Sequence, residues 1–281
     1  MSYATLVEQF NKVHRHVRQG SITTRRRYYQ AMLRFLEFVS EQFKLQNLKN
    51  VKNKHLAAYV RYLEENGCSP NYLRTELAAV RFYLDQIPTR YKITRDNAAL
   101  GVPPRGTGCD RAWTEDEYRA MVETASEAQK EWIADALVLA WEMGLRIHEV
   151  MRLSRADAED ALRVGSLRVK GKGGLVRRVP LTPAAAAALA RTMQRVPRGS
   201  KLFVGEGQKT HQVIAQVQNF IREHRPRQRR LTFHGTRYSY AQRNYAECTG
   251  RGMTRSEAEQ DTARKLGHRR RRVTRWYVRM P

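Results

Sequence analysis

Cysteine is scarce in this chain: Cys68, Cys109 and Cys248 lie far apart in 281 residues. That spacing supports neither a disulfide framework nor a zinc site, and it suits a reducing compartment. Long apolar runs are missing too. No stretch approaches the roughly 18 consecutive apolar residues of a membrane span, and Glu8 sits where a secretory signal needs an apolar core. There is no Gly-x-x-x-x-Gly-Lys loop to cradle a nucleotide and no acid cluster suited to magnesium. The eight histidines show no ligand spacing with carboxylates, which argues against a metal hydrolase. Acids are also few: 27, against 52 lysines and arginines.

What is present is positive charge. The net charge is +25, and it is shared by both halves of the chain. Residues 1–109 hold 18 basic and 8 acidic residues, and residues 110–281 hold 34 and 19. A neutral domain with a basic tail is thereby excluded. A polyanion touched by both halves is the simple reading, with nucleic acid first among polyanions.

The first hundred residues read as helices. Met32, Phe35, Leu36, Val39 and Phe43 share one helical face. Ser69 and Pro70 have the order of an N-cap and a first helical residue, followed by Leu73, Leu77, Val80 and Leu84. A helix over "NKHLAAYVRYLEEN" ends at Gly67. Residues 98–112, "AALGVPPRGTGCDRA", have linker chemistry. Thr114 and Glu117 have capping-box spacing. Residues 131–153 read as helical, and "LRVGSLRV" and "LVRRVPL" read as strands flanking "KGKGG". Thr182-Pro183 opens another helix, and "RPRQRR" at 225–230 reads as an exposed loop. The expected fold is mainly α with a small antiparallel β-sheet, in two domains: 1–97 and 113–281, joined by 98–112.

Four stretches carry chemistry. In "GLRIHEVMRL", Arg146 and Glu149 lie at i and i+3, which taken alone reads as a surface ion pair. Lys170 and Lys172 stand at the hairpin tip, where lysines are usually just solvated but can reach a phosphate ester. His234 and Arg237 share one face near a helix start, an anion-binding location. In "LGHRRRRVTRWYV", His268 precedes Tyr277 by nine residues, with Arg269, Arg270, Arg271 and Arg272 between. Trp276 and Val278 make the Tyr277 segment too apolar for a solvated tail.

Singly these motifs are weak. In order and spacing, Arg146, Lys172, His234, Arg237, His268 and Tyr277 resemble the tyrosine recombinase (phage integrase) family. The resemblance implies a helical core-binding (SAM-like) domain at 1–97 and a catalytic domain at 113–281, together forming a clamp around DNA. It also implies that Tyr277 attacks a DNA phosphate to leave a 3′-phosphotyrosyl link. Arg146 and Arg237 would hold the non-bridging oxygens, and Lys172 would protonate the departing 5′-oxygen. His234 and His268 would assist proton transfer and positioning, with Glu149 buttressing Arg146. Arg25, Arg26, Arg27 and Arg269 to Arg272 are expected to contact the DNA backbone.

No metal, ATP or other cofactor is expected. The expected partner is double-stranded DNA at a specific recombination site, with a homo-tetramer in the synaptic complex and a monomer or weak dimer when free. An accessory DNA-bending or directionality factor is a further expected partner. The expected location is a prokaryotic cytoplasm, at the nucleoid and not in a membrane. A regulator that keeps the fold without the reaction, and a topoisomerase-like or telomere-resolving strand transferase, share parts of this pattern. Two departures from the family stand out: Tyr238 occupies a position where many members carry a second histidine, and the interval from Arg237 to His268 is long.

Overall fold

The apolar stripes of the first hundred residues become the buried faces of four helices: α1 (Ser2–His14), α2 (Ile22–Phe43), α3 (Asn53–Glu65) and α4 (Pro70–Leu84). The computed structural model describes residues 2–104, 110–171, 174–268 and 271–278, and the side chains of all but residues 2, 271 and 272 among them. The chain divides into two compact units, Met1–Gly108 and Cys109–Pro281. In the first, Met32, Phe35, Leu36 and Val39 meet Leu73, Leu77 and Val80, all without exposed surface. Ser69 caps α4 by accepting from the Tyr72 amide, with Pro70 in the first turn.

The linker region differs from its composition. Residues Ala98–Leu100 form a 3-10 turn, and Leu100 and Val102 are buried in the first unit's core. Arg74 also donates to the Pro103 carbonyl at 2.6 Å. Prolines and glycines break helices, but they do not stop two neighbouring apolar side chains from packing.

The second unit opens with α5 (Glu115–Glu127), where Thr114 and Glu117 form the reciprocal capping box. Next come α6 (Glu131–Met143) and a short α7 (Ile147–Val150), so the helical stretch over 131–153 is broken at 144–146. Gly144 ends α6 with φ of +61°, a left-handed conformation, and a Cβ there would stand 2.5 Å from the Tyr240 ring. The break turns Arg146 into the N-cap of α7.

After α8 (Arg155–Val164), β1 (Ser166–Lys170) pairs antiparallel with β2 (Val176–Pro180), with Ser166 opposite Pro180 and Lys170 opposite Val176. The "LRV" at 162–164 therefore closes a helix and does not start the strand. The remaining helices are α9 (Pro183–Gln194), α10 (Thr210–His224), α11 (Phe233–Gly250), α12 (Arg255–Leu266) and α13 (Arg271–Arg275). Residues 225–230 are a largely exposed turn between α10 and α11. Among the described residues, the two strands form the one sheet, and no helix is long and apolar enough to cross a membrane.

Candidate active site

Arg146 enters the site through α7. Its backbone amide and its Nη1 both donate to Glu149, each at 2.9 Å. Glu149 is buried, so this is not the surface ion pair that the local spacing suggests. A second guanidinium completes it: Arg177 of β2 donates Nη1 and Nη2 to the two carboxylate oxygens at 3.0 and 2.9 Å. Burial alone raises the Glu149 pKa, but the Arg177 hydrogen bonds and charge outweigh it and hold the carboxyl at about 2. Arg177 also donates Nε to the Lys265 carbonyl at 2.8 Å. One buried side chain thus ties the hairpin, α7 and the end of α12 together.

Arg237 lies in the first turns of α11, which starts after Thr232. It has no exposed surface. Its Nη1 donates to the Gly144 carbonyl and its Nη2 to the Leu266 carbonyl, at the ends of α6 and α12. Its Nε is buried without a hydrogen-bond partner. A buried donor left so costs about 1–3 kcal/mol, which an anion would relieve. Burial, with Arg146 nearby, pushes its pKa down to about 10, so it stays cationic at neutral pH. The result is three guanidiniums around one carboxylate.

Leu266 ends α12 and Gly267 turns the chain in a left-handed conformation, φ +67°. A Cβ on Gly267 would stand 3.1 Å from Cδ of Arg177, so the glycine serves both the turn and the close approach. His268 follows. Its Nε2 lies 3.2 Å from Arg237 Nη2, and because a guanidinium only donates, Nε2 must accept. Nδ1 then carries the proton and donates to the buried Thr274 hydroxyl at 2.9 Å. Burial first, then the charges of Arg237 and Arg146, depress the His268 pKa to about 3, which agrees with a neutral ring.

Tyr277 is 8% exposed and its hydroxyl lies 3.1 Å from His234 Nε2. Tyr238 stacks on its ring with centroids 4.2 Å apart, and His268 covers it at 4.9 Å. The Arg237 guanidinium carbon is 6.0 Å from the same ring. Desolvation first, and then the charges of Arg237 and Arg146, push the His234 pKa down to about 4. His234 stands at the rim in contact with solvent, so water screens part of that effect.

The long interval before His268 has a use: it builds α12. There Glu259, itself buried, accepts from Arg275 of α13 at 3.0 Å. Tyr277 and Val278 pack with Ala241, Tyr245 and Leu266, while Trp276 is exposed.

The structure therefore brings Arg146, Glu149, His234, Arg237, His268 and Tyr277 together. Lys172, Arg269 and Arg270 lie outside the described residues, as do the side chains of Arg271 and Arg272. Lys170 ends β1 and faces solvent. Arg25, Arg26 and Arg27 lie in the first turns of α2, in the other unit, with Arg26 and Arg27 exposed. Sequence reasoning missed Arg177 and Thr274. The only signal for Arg177 was an arginine on an inward strand position, where the alternation calls for an apolar residue.

Comparison with known proteins identifies the family. Residues 111–280 match the phage integrase family, and residues 6–91 match the phage integrase N-terminal SAM-like domain. The chain belongs to the phage integrase family, as a tyrosine site-specific recombinase. It is 29% identical over 224 residues to the tyrosine recombinase XerC of Brucella suis biovar 1, covering 74% of this chain and 71% of that protein. In fold it is similar to the Tn1549 transposon integrase in complex with circular intermediate DNA, with a TM-score of 0.67, 18% identity, and coverage of 100% of this chain and 96% of that one. It is likewise similar to a lambda integrase dimer bound to a COC′ core site, with a TM-score of 0.68, 16% identity, and coverage of 99% and 95%.

Proposed function

We propose that this chain cuts and rejoins double-stranded DNA at a specific site through a 3′-phosphotyrosyl link on Tyr277. The observation that carries this is the Tyr277 hydroxyl 3.1 Å from His234 Nε2, beside a surplus of buried guanidinium charge. Neutral His234 takes the hydroxyl proton as Tyr277 Oη bonds to phosphorus. The bond from phosphorus to the 5′-oxygen breaks, and Lys172 protonates that oxygen, the role its motif implies. Arg146 and Arg237 stabilise the charge that spreads over the non-bridging oxygens. His268, held neutral with its proton on Nδ1, keeps an acceptor beside Arg237.

Because the phosphodiester energy is stored in the tyrosyl ester, rejoining needs neither ATP nor a metal. Attack of the 5′-hydroxyl reverses the step and returns the proton to Tyr277. Arg237 has no exposed surface, so a phosphate meets it only once the Tyr277 ring or a neighbour shifts. The first unit is the core-binding partner on the same duplex, and strand exchange takes place in a tetramer.

The test is a nicked duplex that traps the covalent state, incubated in EDTA with wild type and with Tyr277→Phe. A denaturant-resistant adduct with wild type alone is the expected result. An adduct that survives in Tyr277→Phe moves the nucleophile elsewhere. Tight binding with no adduct from either protein turns the chain into a DNA-binding regulator.

A further inference from the structure

Two cavities adjoin at the amino end of α11. The first, about 350 Å³, is lined by Arg146 and His234 of the candidate site together with Arg222 and Arg225. The second, about 310 Å³, continues past Arg225 to Arg230 and Arg111. The two share Arg225, Leu231 and Thr232 as a common wall.

Arg229, on the wall of the second cavity, pairs with Glu117 at 2.6 Å, but the other arginines of the groove are not neutralised as those elsewhere in the unit are. Exposed Arg119, Arg163, Arg251 and Arg264 each pair with a carboxylate on their own helix. Among the described residues, no carboxylate lies within ion-pair distance of Arg111, Arg222, Arg225 or Arg230. Arg222 instead donates to the Asn219 amide oxygen at 3.0 Å, and Arg225 to the Leu231 carbonyl at 3.4 Å. The acid in the groove, Asp110, already accepts from the Ala112 amide and from Gln242. Thr232 makes no side-chain cap, so the positive end of the 18-residue α11 adds to the same groove.

Four unpaired guanidiniums leading out of a phosphate-transfer site match a polyanion whose charges repeat along a line. We propose that the paired cavities hold the sugar–phosphate backbone of the cleaved strand beside the scissile phosphate, with Arg225 and Arg230 each neutralising one flanking phosphate. The proposal rests on the strand-transfer reading above. Such contacts set the register of the strand without reading bases. They would also place the scissile phosphate over Arg146 before Tyr277 moves.

The experiment compares wild type with Arg225→Ala/Arg230→Ala. Duplex affinity is measured across a salt series, with Arg119→Ala/Arg251→Ala as a control for removal of paired surface arginines. The log–log salt slope should become shallower by about 2, near 0.9 for each phosphate no longer neutralised, while the control keeps the wild-type slope. A parallel arm alters the DNA instead of the protein, with neutral methylphosphonates beside the scissile position of the adduct-forming duplex. These should weaken wild type, which tests the groove in a protein whose folding is untouched, and leave the folded double variant little changed. An unchanged slope in a variant of wild-type melting temperature, or wild type indifferent to methylphosphonates, overturns the proposal. The adduct reports separately on the chemistry. A slope that depends on Arg225 and Arg230 without any adduct upholds the groove and removes strand transfer. An adduct with an unchanged slope does the opposite.

Discussion

Glu76 in the first unit and Glu149 in the second are both buried carboxylates held by arginine forks, and the two forks differ. In the first unit, Glu76 accepts from Arg34 at 3.1 and 2.6 Å and from the Tyr59 hydroxyl at 3.3 Å. One cation meets one anion, and Arg34 stays half in solvent. In the second unit, Glu149 accepts from both Arg146 and Arg177, and Arg237 lies buried beside them without an acid of its own. A balanced pair satisfies a buried group and fastens α2 to α4. A surplus of cations held away from water has no such use, because burying unmatched charge is expensive. The surplus therefore marks where an anion belongs, and the balanced pair marks structure.

The contrast between the forks is tested most severely at Arg237. Arg237→Lys keeps a charge but loses the planar fork, and single-turnover cleavage should fall by about 10²–10³-fold with duplex binding nearly unchanged. Equal losses in binding and cleavage would contradict that reading. Arg177→Ala comes next. It leaves Glu149 its Arg146 partner but frees the hairpin from α12, and misplacement on the scale of an ångström should slow cleavage by up to about 10²-fold. Arg177→Lys should recover part of the rate, which a purely structural role would not predict.

In the first unit, Arg34→Ala leaves Glu76 buried with one hydroxyl donor. Stability measured by urea should drop by about 1–3 kcal/mol, and the cleavage rate of the folded fraction should hold. A loss of cleavage there would erase the distinction between the two forks. The smallest effect is with acid. His268 is neutral when folded down to about pH 3, whereas an unfolded histidine takes up its proton near 6.5. Its contribution is thus fully present above about 6.5 and is lost as pH falls below that, by at most about 1.4 kcal/mol per pH unit. His268→Gln should flatten that slope, and parallel stability curves for wild type and variant would refute the assignment.

Local signals were legible in the chain wherever partners lie within a turn. Ser69 with Tyr72, Thr114 with Glu117, and Thr182 with Ala185 cap their helices as their spacing predicts. The apolar stripes of α2 and α4 became core for the same reason, since a helical period needs only its own sequence to define a face. The order of arginines, histidines and tyrosine likewise pointed to one family.

Other features were decided by contacts that no local spacing encodes. Arg177 reaches Glu149 across 28 positions and the Lys265 carbonyl across 88. Leu100 and Val102 joined a core despite their proline-rich surroundings. Whether Glu149 was a surface pair or a buried buttress depended on what packed over it. The helices of the first unit, the surplus charge and the order of the candidate side chains thus follow from the chain alone, because propensity, capping and charge act within a few residues. Which cations are matched, which histidine nitrogen carries the proton and what orients Arg146 were settled in three dimensions. Those depend on burial and on partners that folding brings together from distant parts of the chain.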